Sequence, residues 1–379
     1  MQCDYFNQNK CRSCTWLDRD YADQLIAKTT ALRVLLEAHP PQEWLPAVAS
    51  PQTEFRNKAK MAVLGTQSAP ILGIVNHQGE EVSLCDCPLY PVAMQALLLR
   101  LQVWIQQAGL PPYQVDKRQG EIKFILLTRS QFSGEYMLRL VLRSEQLLAR
   151  IKQRLPQLLA DTPDISVVSV NIQPVHMAIL EGEKEIFLTQ NTRLSERLNG
   201  VPLYIRPKSF FQTNPVVAAE LYNTARKWTA EIGPRSLLDL YCGVGGFGLH
   251  CATPKMVMTG IEIEQEALAC AQQSAREMGL SHVNLIAADL TGLMTIQAGS
   301  PDLIIINPPR RGIGQALCAQ LADMAPQHIL YSSCNAETLA QDLSQMPGYR
   351  LARVQLFDMF PHTPHYEVLA KLTRQGAYR

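Results

Sequence analysis

The chain has 379 residues, a formal charge of +1, 47% hydrophobic residues and ten cysteines. That length exceeds one ordinary core and favours two domains, while the balanced charge excludes a polycation, so any nucleic-acid surface is a local patch. No apolar run is long enough to predict a transmembrane helix, and the polar N-terminus "MQCDYFNQNKCRSC" has no signal-peptide core. The expectation is a cytoplasmic protein whose cysteines are reduced, metal-bound or catalytic rather than disulfide-bonded.

In chain order, residues 18–38 read as an amphipathic helix stopped by Pro40 and Pro41. From about 53 to 206 the runs "KMAVLGT", "ILGIVNHQGEEVSL", "EIKFILLTRS", "EYMLRLVLRS", "DISVVSVNIQP" and "EIFLTQ" predict strands, interrupted by helices near 91–107 and 144–159. This pattern predicts an α+β domain on an antiparallel sheet over residues 1–206. After about 208, "RSLLDLYC", "KMVMTGIEI", "VNLIAAD", "DLIIINPP" and "HILYSS" alternate with helical segments 215–231, 264–279 and 313–325. Such alternation predicts an α/β, Rossmann-like domain over 207–379, a parallel sheet with helices on both faces. The helix over 18–38 is a candidate to pack on this second domain.

Ligands of such folds bind at the carboxyl ends of the strands. The first strand leads into "DLYCGVGGFG", where Gly243, Gly245 and Gly248 fit GxGxxG. That turn serves dinucleotides and S-adenosylmethionine alike. The second strand ends at Glu262, placed to accept bonds from a ribose diol or to start the next helix. The third ends at Asp289, which could meet an adenine amino group or cap a helix. The fourth ends in Asn307-Pro308-Pro309, a rigid extended turn that presents the Asn307 side chain to a planar ligand. The fifth ends in "SSC", with Cys334 ahead of Asn335, a predicted cap for the helix "AETLAQDL". A helix N-terminus favours a thiolate. Asn214-Pro215 likewise predicts a cap followed by a first-turn proline.

The motifs "SFFQTNP", "DLYCGVGGFGL", "NPPRRG", "YSSCN" and "FPHTPHYEVLAKL" occur in an order and spacing that resembles the RNA uracil-C5 methyltransferases along the whole chain. That family includes one tRNA and two 23S rRNA enzymes of bacteria, and the cysteine-rich N-terminus resembles the rRNA enzymes. The resemblance implies 23S rRNA as partner, without a membrane or an obligate protein partner. It implies that Gln212, Tyr241, Glu262 and Asn307 contact S-adenosylmethionine; many relatives carry Asp where this chain has Asn307. Phe210 and Phe211 beside Gln212 are expected to pack more than to stack on bases.

The implied reaction needs Cys334. Carbon 5 of uracil is a poor nucleophile, and addition of a thiolate to carbon 6 converts it to an enolate that can attack an electrophilic methyl. A general base must then remove the carbon-5 proton. Residue chemistry alone leaves His362, His365 and Glu367 open; the resemblance implies Glu367.

Cys3, Cys11 and Cys14 form C-x7-C-x2-C, and "LCDCP" offers Cys85 or Cys87 as a distant fourth ligand. In the rRNA enzymes four matching cysteines bind a [4Fe-4S] cluster, which picks Cys87; zinc is the rival for a four-cysteine site. Cys242, Cys251, Cys270 and Cys318 read as packing residues. Residues 117–154 hold nine Lys/Arg against three acids, a local balance of +6. Arg139 and Arg143 share one face of a predicted strand, so a phosphate-binding stripe is expected there, with "FRNKAKM" (55–61) as a second basic candidate. The target uracil must be unpaired or flipped to reach Cys334. A tRNA uracil-C5 methyltransferase, an iron–sulfur oxidoreductase using a dinucleotide, and a zinc-bound RNA adaptor are the alternatives.

Overall fold

The computed structural model describes residues 1–177, 179–290 and 300–376. It divides into two compact units, Met1–Ser13 with Gln52–Glu196, and Cys14–Pro51 with Arg197–Arg379.

The first unit is a seven-stranded sheet in the order Glu81–Ser83, Pro70–Val75, Lys58–Gly65, Ile122–Arg129, Tyr136–Leu142, Ile165–Ile172, Lys184–Phe187. Helices Val92–Gln107 and Leu148–Asp161 lie against it and touch each other, with Trp104 Nε1 donating to the Arg154 carbonyl at 3.3 Å. Leu98, Leu101, Ile105, Ile151, Leu127, Leu138 and Leu140 fill the core between helices and sheet. The antiparallel expectation needs one amendment: Tyr136–Leu142 and Ile165–Ile172 run parallel. The helix between them supplies the crossover that a parallel pair requires.

The phosphate-binding stripe is not formed. Every residue of strand Tyr136–Leu142 is buried. Arg139 is 1% exposed, and its guanidinium takes Glu185 in a fork and Glu181 at 2.6 Å. Lys123 is also buried, with its ammonium on the Gln173 side chain and the Val175 carbonyl. Alternation places Arg139 on one face, but this strand is interior to the sheet and both its faces are covered, so the charge had to be paired inside. Lys117, Arg118, Arg150, Lys152 and Arg154 are the exposed cations of that segment. In "FRNKAKM", Phe55, Asn57, Ala59 and Met61 point inward and Lys60 outward.

The second unit carries an eight-stranded sheet in the order Glu43–Trp44, Tyr349–Phe357, Glu367–Arg374, His328–Ser333, Leu303–Ile306, Ser236–Leu240, Val257–Glu262, Val283–Ala287. Its interior strand Leu303–Ile306 is wholly buried, as expected of a parallel sheet covered on both faces, whereas the edge strand Val283–Ala287 is not. Helix Tyr21–Leu35 belongs to this unit and buries Leu32 in its core with Leu339, Leu343 and Leu356.

One strand departs from the parallel pattern. Glu367–Arg374 runs antiparallel to both its neighbours. Residues 358–366, which join it to Tyr349–Phe357, are too few for a crossover helix, so the chain turns straight back. The consequence is local: an antiparallel strand begins where its parallel neighbours end, which brings its first residue, Glu367, to the ligand-binding edge of the sheet.

Candidate active site

The cofactor end is built by the first two strands. Gly245 caps helix Gly246–Cys251 with φ +85°, a conformation open to glycine. A Cβ at Gly248 would lie 2.1 Å from Met258 Cε and 2.6 Å from Asp239 Oδ2, so a larger residue would have to displace both side chains. Its N–H donates to Asp239 Oδ2 at 2.9 Å. Glu262, at the end of the second strand, accepts from the N–H groups of Gly243 (3.1 Å), Ile263 (2.8 Å) and Glu264 (3.1 Å). The carboxylate thus ties the glycine turn to the next helix while lining the cleft.

Two cavities meet at Tyr241. The outer one, of about 270 Å³, is lined by Tyr241, Glu262, Ile263, Asp289, Leu290 and Ile313 among others. The inner one is lined by Phe211, Tyr222, Asp239, Tyr241, Gly243 and Asn307, with Phe210 at its edge. Tyr241 has φ +59°, an unfavourable backbone for a tyrosine, and this turn sets its ring on both cavities. Gln212 is buried on the loop before helix Pro215–Ile232, next to Phe211. That helix starts as expected, with Asn214 accepting from Val217 N and Pro215 in the first turn. Phe210 and Phe211 part company: Phe211 is buried, while Phe210 is 68% exposed.

Asp239 was not singled out by sequence. It is buried, and its Oδ1 has no hydrogen-bond partner. Burial pushes its carboxyl up to about 7, against the Gly248 N–H and with some help from Glu262. An orphaned oxygen lining the inner cavity is an acceptor for a ligand cation or N–H. It also means that Asn in place of Asp at 307 does not leave that cavity without a carboxylate. The two acids lining the outer cavity, the glycine turn and this orphaned acceptor suit the adenosine and amino-acid parts of S-adenosylmethionine.

Cys334 lines a third cavity with Arg310, Asn335, Glu337, His365 and Tyr366. Asn335 caps helix Ala336–Ser344 by accepting from Glu337 N at 3.1 Å, as the sequence predicts. Strand His328–Ser333 pairs with Glu367–Arg374 in the register Ser332↔Leu369, Ser333↔Val368. Continuing this register by one residue sets Cys334 opposite Glu367, and the two groups interact electrostatically. Burial and the Glu367 charge raise the Cys334 thiol pKa, while Arg310, by its charge and a hydrogen bond, lowers it. Arg310 is a second residue the sequence reading passed over, although it stands inside "NPPRRG". Its carbonyl accepts from Asn335 Nδ2 and Thr338 Oγ1, both at 3.2 Å, which ties the proline turn to the cysteine's helix.

The three base candidates stand in different surroundings. His362 is buried and bound to Gln24 through its N–H (2.8 Å) and its ring (3.3 Å). His365 faces the Cys334 cavity, but burial, Arg310 and Lys28 lower its pKa. Glu367 is 3% exposed, and burial pushes its carboxyl up to about 7 even though Ser332 Oγ donates to Oε1 at 2.8 Å.

None of the ten cysteines is in a disulfide. In the first unit, Tyr5 hydrogen-bonds Asp86, bringing segment 3–11 to the "LCDCP" turn. Cys3 and Cys11 both act electrostatically on Cys87, so these three sulfurs share a neighbourhood. Cys85 is fully buried and turned away, donating to the Leu72 carbonyl and the Gln102 side chain. Cys14 is the first residue of the second unit. Among the described residues no cluster of three or more His, Cys, Asp or Glu has the arrangement of a metal site, and no helix is long and apolar enough to cross a membrane.

Comparison with known proteins agrees with this geometry. The chain is 61% identical to the 23S rRNA (uracil(747)-C(5))-methyltransferase RlmC of Shewanella loihica, over 99% of this chain and 100% of the relative. It is equally 61% identical to that of Shewanella baltica, over 98% and 97%. Among solved structures, the Pyrococcus abyssi tRNA (uracil-54, C5)-methyltransferase in complex with S-adenosyl-L-homocysteine superposes with a TM-score of 0.80 at 26% identity, covering 95% of this chain and 85% of that one. The family pattern described as tRNA (Uracil-5-)-methyltransferase matches residues 20–375, and the chain belongs to that family.

Proposed function

We propose that the protein methylates carbon 5 of a uridine in 23S rRNA, the position equivalent to that modified by its RlmC relatives, through a covalent Cys334–carbon 6 adduct. The observation that carries this reading is the strand register that, continued by one residue, sets Cys334 opposite Glu367 at the strand-end edge that also carries the Tyr241 cavities. S-adenosylmethionine supplies the methyl group when bound. Glu262 and Tyr241 hold its adenosine part, and Asn307, Asp239 and the Gly243 turn its amino-acid part, with Gln212 on the adjoining loop.

Arg310 favours the Cys334 thiolate, which forms a bond to carbon 6 of the uracil and pushes the ring electron pair onto carbon 5 and its carbonyl. That pair forms the new carbon–methyl bond as the methyl–sulfur bond of the donor's sulfonium breaks, its electron pair staying on the sulfur, which leaves as a neutral thioether. Glu367 then takes the carbon-5 proton, and the returning pair expels the Cys334 thiolate. A base with a pKa near the working pH suits both halves of that exchange. An rRNA substrate is in keeping with a cytoplasmic protein.

The family resemblance implies a [4Fe-4S] cluster on Cys3, Cys11, Cys14 and Cys87, and the electrostatic reach of Cys3 and Cys11 to Cys87 and the inward turn of Cys85 favour Cys87 over Cys85 in that set. Thiols suit either a cluster or zinc, so Cys87→Ser should lose iron and Cys85→Ser should keep it. The reading is tested by incubating the protein with labelled S-adenosylmethionine and unmodified 23S rRNA or tRNA, then mapping the methyl group. Label at one uridine of 23S rRNA is expected; label confined to tRNA would instead match the activity of the Pyrococcus enzyme.

A further inference from the structure

The chemistry assigned to Glu367 poses a problem that the strand pairing answers. A carboxyl buried to 3% exposure resists ionisation, yet it must be ionised to take a proton. Among its strand neighbours one group offers a hydrogen to it. Ser332 is 0% exposed and its hydroxyl lies 2.8 Å from Glu367 Oε1.

The contact follows from the alternation of the strand. Residues 332 and 334 share one face, and 367 and 369 share that face on the antiparallel partner. Ser332 pairs with Leu369, so Glu367 is its diagonal neighbour, within reach of a side-chain hydrogen bond. Cys334, two residues on, is the direct neighbour. One strand edge thus presents both the nucleophile and the group that holds the base. Ser333, on the other face, is used differently, donating to the Asn335 carbonyl at 2.8 Å and accepting from the Asn335 N–H at 3.1 Å.

We propose that Ser332 is a positioning residue for the proton-removal step: its hydroxyl holds the Glu367 carboxylate through Oε1 and leaves Oε2 to face the carbon-5 proton. The proposal rests on the role given to Glu367 above. The hydrogen bond lowers the pKa of the carboxyl that burial raises. The other ionisable groups around Glu367 do not take this part. Cys334 and Tyr222 lie within electrostatic reach of it, and Asp239 acts on Tyr222 in turn, so their charged forms would oppose ionisation. His328, Arg350, Arg353 and Lys371 sit at the far end of the strands, paired around residues 371–374. Phe357 is directly opposite Glu367.

The test uses the full-length protein and a 23S rRNA transcript carrying tritium at carbon 5 of uridine. Tritium release reports proton removal directly, and a denaturing gel reports the adduct before it. In S332A the pH midpoint of release is expected to rise by roughly one to two units, the range of a hydrogen bond to a charged group. Release should recover toward the wild-type plateau in alkali, and adduct should accumulate near neutrality. S332T keeps the hydroxyl and is expected to keep the wild-type midpoint. A rate lowered equally at every pH in S332A, with its midpoint unmoved, would overturn the proposal. If S332A no longer binds S-adenosylmethionine and so has not folded, a shifted midpoint in S332T overturns it and an unshifted one supports it. E367Q run alongside separates the two layers: normal release in E367Q removes Glu367 as the base, whereas blocked release in E367Q with an unmoved S332A midpoint removes only Ser332.

Discussion

Glu262 and Glu367 are the same side chain at two places along one edge of one sheet, and they are equipped for opposite work. Glu262 ends a parallel strand and takes three backbone N–H groups from the turns around it. It is anchored, and an anchored carboxylate is suited to holding a ligand's hydroxyls. Glu367 begins an antiparallel strand, is buried, and has one serine hydroxyl as partner. Burial pushes it up to about 7, which suits a group that must gain and lose a proton. The difference lies in strand direction and in the donors each end supplies: turns after parallel strands expose N–H groups, whereas the first residue of a returning strand points into side chains.

The comparison can be broken by exchanging the two defects. The largest effect is expected from Cys334→Ala, which removes the proposed nucleophile: methyl transfer should be undetectable while S-adenosylmethionine binding, followed by calorimetry, stays intact. Glu367→Gln should lower turnover roughly 10²–10⁴-fold, the usual share of a general base, again with cofactor affinity kept. Glu262→Ala should do the reverse, weakening S-adenosylmethionine binding by roughly 1.5–3 kcal/mol for each charged hydrogen bond lost, and by more than Asp289→Ala. Equal losses in the two acids' variants would erase the distinction.

A pH series sharpens it further. Glu367 works as the carboxylate, so adduct resolution should rise with pH through about 7 and stall below it, where the carboxyl is protonated. The smallest effect is expected from Arg310→Gln. Its loss raises the Cys334 thiol pKa, so adduct formation should slow at neutral pH and recover in alkali.

Much of this edge was legible in the sequence because strand ends carry local signals. The apolar runs, the GxGxxG turn, Asn214-Pro215 and the Asn335 cap are all read within a few residues, and each forms as expected. What escaped depends on pairing across long separations. Arg139 read as a surface cation because nothing near it in sequence reveals Glu181 and Glu185. Asp239 read as the end of a strand, and its orphaned oxygen appears only once helix Gly246–Cys251 closes over it. Ser332 and Arg310 stood inside recognised motifs, yet their roles need the register of a strand nearly forty residues away and the fold of the proline turn. The shortness of 358–366 was the one available clue that the last strand returns antiparallel.

The central claim is that Cys334 and Glu367 act in sequence on one uracil ring, and its most direct measurement is trapping of the species between them. Glu367→Gln, incubated with S-adenosylmethionine and 23S rRNA, should form a methylated RNA–protein band that survives denaturing electrophoresis, and the band should vanish when Cys334→Ala is added. Normal turnover without a trapped band in Glu367→Gln, or a band that persists without Cys334, would contradict the account.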